Sequence, residues 1–406
     1  MDLIAWQTLA EPQHDELVRL AMATDAKDVA AASRLRKLCT DAEIVRAALM
    51  LGEARRKAVA KFGKQRAATL WADPAGVQMA TSLAVAEHKR ERVPVFTSGF
   101  VLTDVCCGIG GDAMSLAAEN DVVAVDSDPV RAWMAEMNSG CKSLVADATE
   151  YEPPEGPVHV DPARRDERSG SRSWRLEDMR PGIDVVRRLV THGWGGAVKL
   201  GPGADLQAVG RAFPGNPIEI ISENGTLVQC VVWIDMPFLS AASRHATLLQ
   251  GGPDVPAAER KARTVSICGA PLLSAAQLPT VHGNRAARYV YEPDDSVERA
   301  ELLGVLCEQV GVAMLHPRVG LLTSDVLIQS PWLTSFEVLE EMVWNERRVK
   351  SALEVLGAGI VEVKTRGGAV NTDQVQTALR GKGEERLVVF VLRMGSAMRG
   401  IIARRV

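Results

Sequence analysis

The seven cysteines, at 39, 106, 107, 141, 230, 268 and 307, include no CxxC pair and form no Cys/His cluster at zinc spacing. An odd and scattered set argues against a disulfide framework or structural zinc and suits a reducing compartment. No apolar run approaches the roughly 18 residues that a membrane span needs. The opening MDLIAWQTLAEPQHDEL lacks a basic stretch leading into an apolar one, so a cytoplasmic chain with no membrane partner is expected. Internal repeats and low-complexity tracts are also missing. Charge of either sign is not in large excess: the formal net charge of -4 gives no overall reason to expect a polyanion as partner. That average hides an asymmetry. Residues 341–406 carry 12 Lys/Arg against 7 Asp/Glu, net +5, which leaves about -9 on the rest. A basic tail on an acidic body hints at a polyanionic partner.

What is present is an ordinary globular composition, 47% hydrophobic and 24% charged, over 406 residues, long enough for two or three domains. Residues 1–95 read as a helical segment. HDELVRLAMAT, DAKDVAAASRLRKLC and DAEIVRAALMLGEARRKAVAKFG each begin near a capping Asp or Thr and repeat apolar residues at helical spacing. From about 96 to 250 short apolar strands alternate with helices: GFVLTDVCC, DVVAVD, KSLVAD, PVHVDP and GGAVKLGPG are strands, and DAMSLAAEN a helix ending near Asn120. In DPVRAWMAEMNS, Asp128 is the N-cap and Pro129 the first helical residue, and Val130, Trp133, Met134 and Met137 are expected to form one buried face. This pattern predicts an α/β fold with a doubly wound, Rossmann-like, mostly parallel sheet. PIEIISENGTLVQCVVWI closes it with an antiparallel hairpin at Asn224-Gly225. Residues 251–330 read as a connecting region containing one helix, SVERAELLGVLCEQVG. Residues 331–406 form a small basic α+β domain: helix SFEVLEEMVWNERRVKSALEVLG, strand GIVEVKTRG, helix NTDQVQTALRG, strands ERLVVFVLRM and RGIIARR.

The densest chemistry lies in VLTDVCCGIGGDAMSLA. Glycines at 108, 110 and 111 let backbone turn sharply and approach a ligand closely. Taken alone, the glycines with Ala113 fit a nicotinamide site equally well. The acids decide. Asp104 sits on the strand, where a dehydrogenase places an apolar residue; a carboxylate there suits a ligand with a cationic amino-acid end. Asp126 ends the second strand and suits ribose hydroxyls, Asp147 follows the third, and Asp161 follows the fourth. Four acids along one carboxyl edge mark where an open α/β sheet binds its ligand.

DVCCGIGGDAMSLA, VVAVDSDP, VADATE and VHVDPARR resemble motifs I to IV of the class I S-adenosylmethionine-dependent methyltransferases, and CCGIGGD is similar to the trimethylguanosine-synthase and related RNA-methylating branch. VQMATSLAVAEHKR (Val77–Arg90) resembles the segment that packs over the cofactor there, and GAGIVEVKTRGGAVNTDQVQTALRGKG resembles the THUMP-like domain behind bacterial enzymes of this type. The resemblance covers roughly 65–250 and 330–406. It implies S-adenosyl-L-methionine as cofactor, its methionine end held by Asp104, Gly108 and Gly110, its ribose by Asp126 and its adenine by Asp147. Cys106, Gly111, Ser127 and Ala148 complete that surround, Gln78 and Thr81 line the pocket, and Asp161 lies beside the transferable methyl.

Methyl transfer from a sulfonium is an in-line displacement that needs alignment and exclusion of water, with no metal. Asp161, Pro162, Arg164 and Lys199 are the expected catalytic residues. Base-methylating relatives carry Pro-Pro-aromatic after the acid, whereas this chain reads Asp161-Pro162-Ala163-Arg164-Arg165, which counts against base N-methylation. Arg164 and Arg165 suit a phosphate or the acids of DERSGSRSWRLED, and Trp174 in the loop 166–180 is a stacking surface or a packed side chain. Cys106 and Cys107 read as small packing residues, because no base is assembled near them to make a thiol nucleophile. The expected activity is methyl transfer to RNA, with RNA as partner. A small-molecule or protein methyltransferase and a non-catalytic RNA-binding protein on a relict fold are the alternatives, and the oligomeric state is not fixed by the sequence.

Overall fold

The computed structural model describes residues 2–24, 29–93, 100–164, 175–236, 244–271, 280 and 285–406. The chain divides into two compact units, Met1–Ala241 with Leu249–Thr264, and Ala242–Leu248 with Val265–Val406. The helical segment expected at 1–95 is thus part of the first unit. Residues 251–330, expected as a connection, are shared between both units and build strands of the second.

In the first unit, helices Leu3–Leu9, Asp15–Met22, Val29–Leu38 and Ala42–Thr69 gather around Trp6, Leu9, Leu51 and Phe62. Asp41 caps the longest by accepting from Glu43 N at 2.8 Å, and Gly63 (φ 77°) kinks it. The helices Asp15–Met22 and Ala42–Thr69 approach so closely that a Cβ on Gly52 would lie 2.4 Å from the Ala21 carbonyl oxygen. Gly52→Ala is therefore expected to cost about 1–3 kcal/mol through overpacking, read as a lower denaturant midpoint at unchanged slope.

The strands of this unit are β1 (Leu102–Val105), β2 (Val122–Asp126), β3 (Lys142–Val145), β4 (Val158–Val160), a two-residue ladder β5 (Ala163–Arg164) with β6 (Met179–Arg180), β7 (Gly196–Leu200), β8 (Ile218–Glu223) and β9 (Thr226–Ile234). Apart from β5 and β6 they lie in the order β8-β9-β7-β4-β1-β2-β3. β1 to β4 and β7 are parallel, and β9 is antiparallel to both its neighbours. Asn224 and Gly225, with φ 51° and 79°, make the hairpin turn that the sequence predicts. The helix Pro129–Ser139 has the expected Asp128 cap, accepting from Val130 N at 2.8 Å. Its buried face differs from expectation: Ala132, Met134 and Ala135 are buried, whereas Met137 is 46% exposed. The helix after the glycines is a single turn, Ala113–Leu116.

The second unit holds β11 (Val265–Gly269) and all but the last residue of β10 (Arg244–Leu249), an antiparallel pair. It also holds a sheet of β12 (Tyr289–Pro293), β13 (Ala313–Met314), β14 (Leu322–Ser324), β15 (Leu333–Val343), β16 (Ala358–Arg366), β17 (Glu385–Met394) and β18 (Ala397–Arg405), ordered β13-β14-β12-β15-β18-β17-β16. Helices Glu346–Val355 and Thr372–Leu379 form where expected, but two expectations fail. Residues 335–343 are strand, not helix: a register shift between Val338 and Glu340 throws the period-2 pattern out of phase, so its apolar residues imitate helical spacing. The expected helix at 296–311 is broken in two, Asp295–Arg299 and Leu303–Val310, where Glu301 takes φ 63°. Among the described residues no helix is long and apolar enough to cross a membrane, and no group of three or more His, Cys, Asp or Glu is placed to hold a metal ion.

Candidate cofactor site

Strand order reverses between β1 and β4: β2 and β3 follow on one side of β1, and β7 lies beyond β4. In an open α/β sheet the ligand crevice lies at the carboxyl ends of such a pair. Asp161 N donates to Val105 O at 3.0 Å there, which places Asp161 beside the start of the glycine turn.

The turn leaves β1 through Cys106 (φ 60°), Gly108 (φ 57°) and Gly110 (φ 80°). A left-handed cysteine costs about 1–2 kcal/mol, a strain that the surrounding contacts must hold in place. A Cβ on Gly110 would lie 2.9 Å from Ala135 Cα, so that glycine is required by packing on the helix Pro129–Ser139; around Gly108 nothing lies within 4 Å. The bare backbone at Gly108 thus faces open space. Asn138 ties the same helix to the turn by donating to Ile109 O at 2.9 Å and to Trp71 O at 2.8 Å. Asp126, half-buried at the end of β2, accepts from Gly108 N at 2.9 Å through Oδ2 and from Asp128 N at 3.0 Å through Oδ1. Burial raises its pKa, with the Asp128 and Gly108 amides pulling the other way.

Beneath the turn runs a buried polar chain. Gln229 Nε2 donates to Thr81 Oγ1 (3.0 Å), and Thr81 donates to Asp112 Oδ2 (2.6 Å). Lys89 Nζ lies 2.5 Å from Asp112 Oδ1 and 3.1 Å from His159 Nε2, and His159 Nδ1 lies 2.6 Å from Asp104 Oδ1. All six side chains are buried; Lys89 and Asp104 are each 1% exposed. Burial raises the Asp104 pKa against the pull of His159 and lowers that of Lys89 against the pull of Asp112. At Asp112 burial also pushes upward, but Lys89, His159 and Lys199 outweigh it and hold this carboxyl below the usual range.

On the β4 side Lys199 Nζ meets Asp161 Oδ2 at 2.5 Å, the lysine side chain 6% exposed and the aspartate 25%. Asp147 is exposed and accepts from Thr149 N at 2.8 Å; Ala148 is buried beside it. Thr81 is inward, in the chain just described, while Gln78 and Ser127 are exposed and Pro162 is buried. Lys61 fixes the segment before Thr81 by donating to the carbonyls of Val77, Gln78 and Ala80 at 2.9, 2.9 and 2.7 Å. The side chain of Arg164, and all of Arg165 and Trp174, lie outside the described residues. Besides burial, the charges of Asp126, Asp161, Asp104 and Asp147 all raise the Cys106 pKa. A thiol so held stays protonated at neutral pH, in keeping with a packing rather than a nucleophilic role.

Two Mycobacterium tuberculosis proteins, from strains CDC 1551 / Oshkosh and ATCC 25618 / H37Rv and both described as uncharacterized S-adenosylmethionine-dependent methyltransferases, are each 31% identical to this chain over 327 residues, 79% of it and 84% of theirs. The chain belongs to the S-adenosylmethionine-dependent methyltransferases. The fold of this methyltransferase is shared with a solved putative methyltransferase from Porphyromonas gingivalis W83, at a TM-score of 0.73 and 15% identity, over 96% of this chain and 98% of that one. Its residues 333–405 match the family model described as THUMP domain-like.

The donor set of the methyltransferase fits S-adenosylmethionine. Both Asp126 oxygens are fixed by amides and each keeps a lone pair for a ribose hydroxyl. The space before Gly108 admits a ligand against bare backbone. The negative field at the turn suits a sulfonium. Asp104, expected to hold the methionine end, turns one oxygen onto His159 and leaves the other, Oδ2, buried without a hydrogen-bond partner. Lys89, Asp112 and His159 were not singled out from the sequence. A histidine in the middle of the otherwise apolar VHV, and an acid directly after GIGG, were the available signals. Lys89 lies inside Val77–Arg90, the segment that resembles one packing over the cofactor, but no spacing within it marks this lysine as buried.

Proposed function

We propose that this methyltransferase modifies RNA, with Asp126, Gly108 and Gly110 holding the cofactor and Asp161 addressing the acceptor. The observation that carries the substrate class is the THUMP-like match at 333–405 together with its surface: Arg347, Arg348, Lys350, Arg380, Lys382 and Arg386 are all exposed there. Exposed acids, Glu346, Glu354, Asp373, Glu384 and Glu385 among them, lie in the same domain, so the reading rests on the net positive charge of 341–406; exposed cations give salt-dependent affinity for a phosphate backbone.

When bound, S-adenosylmethionine supplies an electrophilic methyl group. The chain's own residues do the rest. Asp161, more exposed than its buried lysine partner, turns a carboxylate toward the acceptor, orients its N–H or O–H and balances the positive charge that passes to it. Lys199 fixes that carboxylate through the 2.5 Å contact. Asp147 stands exposed past β3, and in this reading it is the acid assigned to an exocyclic amine of adenine.

The test is the modified-nucleoside profile of total RNA with and without the gene, followed by transfer of labelled methyl to the RNA that changes. A profile identical in both strains rejects RNA in favour of a small molecule or protein. Reversing Arg347 and Arg348 to Glu is expected to weaken RNA binding across sequences and to reduce the salt slope by about one per lost phosphate contact. An unchanged slope in titrations over a range of salt concentrations removes this face from the RNA contact.

A further inference from the structure

The negative charge on the body of the chain is unevenly spread. Residues 1–28 hold six Asp/Glu against two Lys/Arg, whereas residues 29–70 hold ten Lys/Arg against three Asp/Glu, net +7. The second stretch is the pair of helices Val29–Leu38 and Ala42–Thr69. They share one core through Leu35, Ile44, Leu51 and Phe62, which leaves the charges outside. Of the ten cations Arg55 is buried and Lys61 half-buried, and the other eight are exposed.

Arg46 and Lys57, eleven positions apart, fall on one stripe of the longer helix, separated by about 16 Å, and Arg56 sits beside Lys57. Arg36 and Lys37 stand on the shorter helix. Of these five only Lys57 is paired with a carboxylate among the described residues, Glu53 at 2.6 Å. The acids nearby are few. Asp41 is occupied as the helix cap, while Glu43 is exposed. The helix Asp15–Met22 adds Asp15 and Glu16, the latter 3.5 Å from Arg19. A row of separate, solvent-facing cations suits an anion that repeats along a chain, as a phosphate backbone does. A bilayer is a poorer match. Among the described large apolar side chains of the two helices Leu38 alone is exposed, so no apolar face is left to enter lipid.

The longer helix is also tied to the cofactor site. Its Lys61 donates to the carbonyls of Val77, Gln78 and Ala80. The next residue, Thr81, abuts the glycine turn: a Cβ on Gly111 would lie 3.1 Å from its amide nitrogen. We infer that the helices Val29–Leu38 and Ala42–Thr69 form a second RNA-binding surface, which grips the phosphate backbone through Arg36, Lys37, Arg46, Arg56 and Lys57 and is anchored to the segment beside the glycine turn. This rests on the RNA reading proposed above. The grip is blind to base sequence, because phosphates alone are read.

The test titrates the full-length protein with a fluorescent polyuridylate, and with total RNA from a strain lacking the gene, over a range of salt concentrations. Combined Arg36→Glu, Lys37→Glu and Arg46→Glu is expected to weaken binding of both probes by about tenfold or more. It is also expected to lower the log–log salt slope by about 2, at about 0.7 per lost contact with a single strand. Calorimetry is expected to give an unchanged S-adenosylmethionine affinity, which separates the surface from the pocket. Affinity within about twofold at an unchanged slope overturns the inference. If Arg347→Glu with Arg348→Glu weakens binding in the same titration, the RNA reading stands without this surface. If the unsubstituted protein binds neither probe, the RNA reading fails and this inference falls with it. Retention on phosphatidylglycerol vesicles that the triple variant loses, with RNA binding unaltered, assigns the helices to a membrane and overturns it too. Should the variant not fold, crosslinking of the unsubstituted protein to 4-thiouridine-containing RNA decides: crosslinks within 29–69 support the surface, and crosslinks confined to 333–405 overturn it.

Discussion

Asp126→Ala is expected to weaken S-adenosylmethionine binding by about a hundredfold or more, because two hydrogen bonds to a charged carboxylate, at about 1.5–3 kcal/mol each, are lost together. The substitution also frees the Gly108 and Asp128 amides that Asp126 now holds at 2.9 and 3.0 Å. Equilibrium binding measures the effect directly; a dissociation constant within about fivefold of the original would remove Asp126 from the ribose contact. The same carboxyl makes a pH prediction. It must be ionised to accept from hydroxyls, and burial raises its pKa. Cofactor affinity is therefore expected to fall on acidification at a pH above the ordinary aspartate value of about 3.9. The contribution to folding runs in the opposite sense: the folded state binds this proton more tightly than the unfolded chain does, so the group's contribution to stability grows as pH falls.

Asp161→Asn is expected to lower the rate of methyl transfer by about 10²–10³-fold while cofactor affinity changes only a few-fold, as for a group that acts on the acceptor in the transition state. The amide neither balances the charge that develops on the acceptor nor pairs with the Lys199 ammonium, which sits 2.5 Å from the present carboxylate. Single-turnover transfer at saturating cofactor separates the chemistry from binding. A rate loss under about tenfold would assign Asp161 a structural part. Lys199→Met is the companion: a milder loss with unchanged cofactor affinity is expected, since the carboxylate remains but is no longer held.

The doubly wound sheet was legible because its signals are local. Glycines 108 and 110 take φ 57° and 80°, a need that glycine meets without strain, and Asn224-Gly225 adopts the backbone that joins two strands by two residues. Asp126 is readable as the last residue of β2, and Asp161 as the acid directly after β4. The buried network was not legible because it is made by distance: Gln229 and Thr81 are 148 positions apart, Lys89 and His159 are 70, and no spacing rule joins them. For the same reason the partner of Asp104 was not legible. Its position on β1 was read correctly, but its hydrogen-bond partner lies on the adjacent parallel strand β4, at His159, which only the pairing brings beside it. In β15 the error had another source, a single extra residue between Val338 and Glu340 that turned an alternating pattern into a helical imitation.

The THUMP-like match opens at residue 333, yet β15, which starts there, has β12 as one neighbour, with Val290 opposite Phe336 and Tyr291 opposite Ser335. A fragment cut out at residue 331 for separate study would carry β15 with one flank stripped of its ladder, leaving unpaired backbone and the Phe336 ring open to self-association. Dissection at residue 285, upstream of Tyr289, keeps that flank covered. Sedimentation of the two fragments side by side is expected to show a compact species for the longer and aggregates for the shorter, so the boundary for excising this module lies well upstream of the family match.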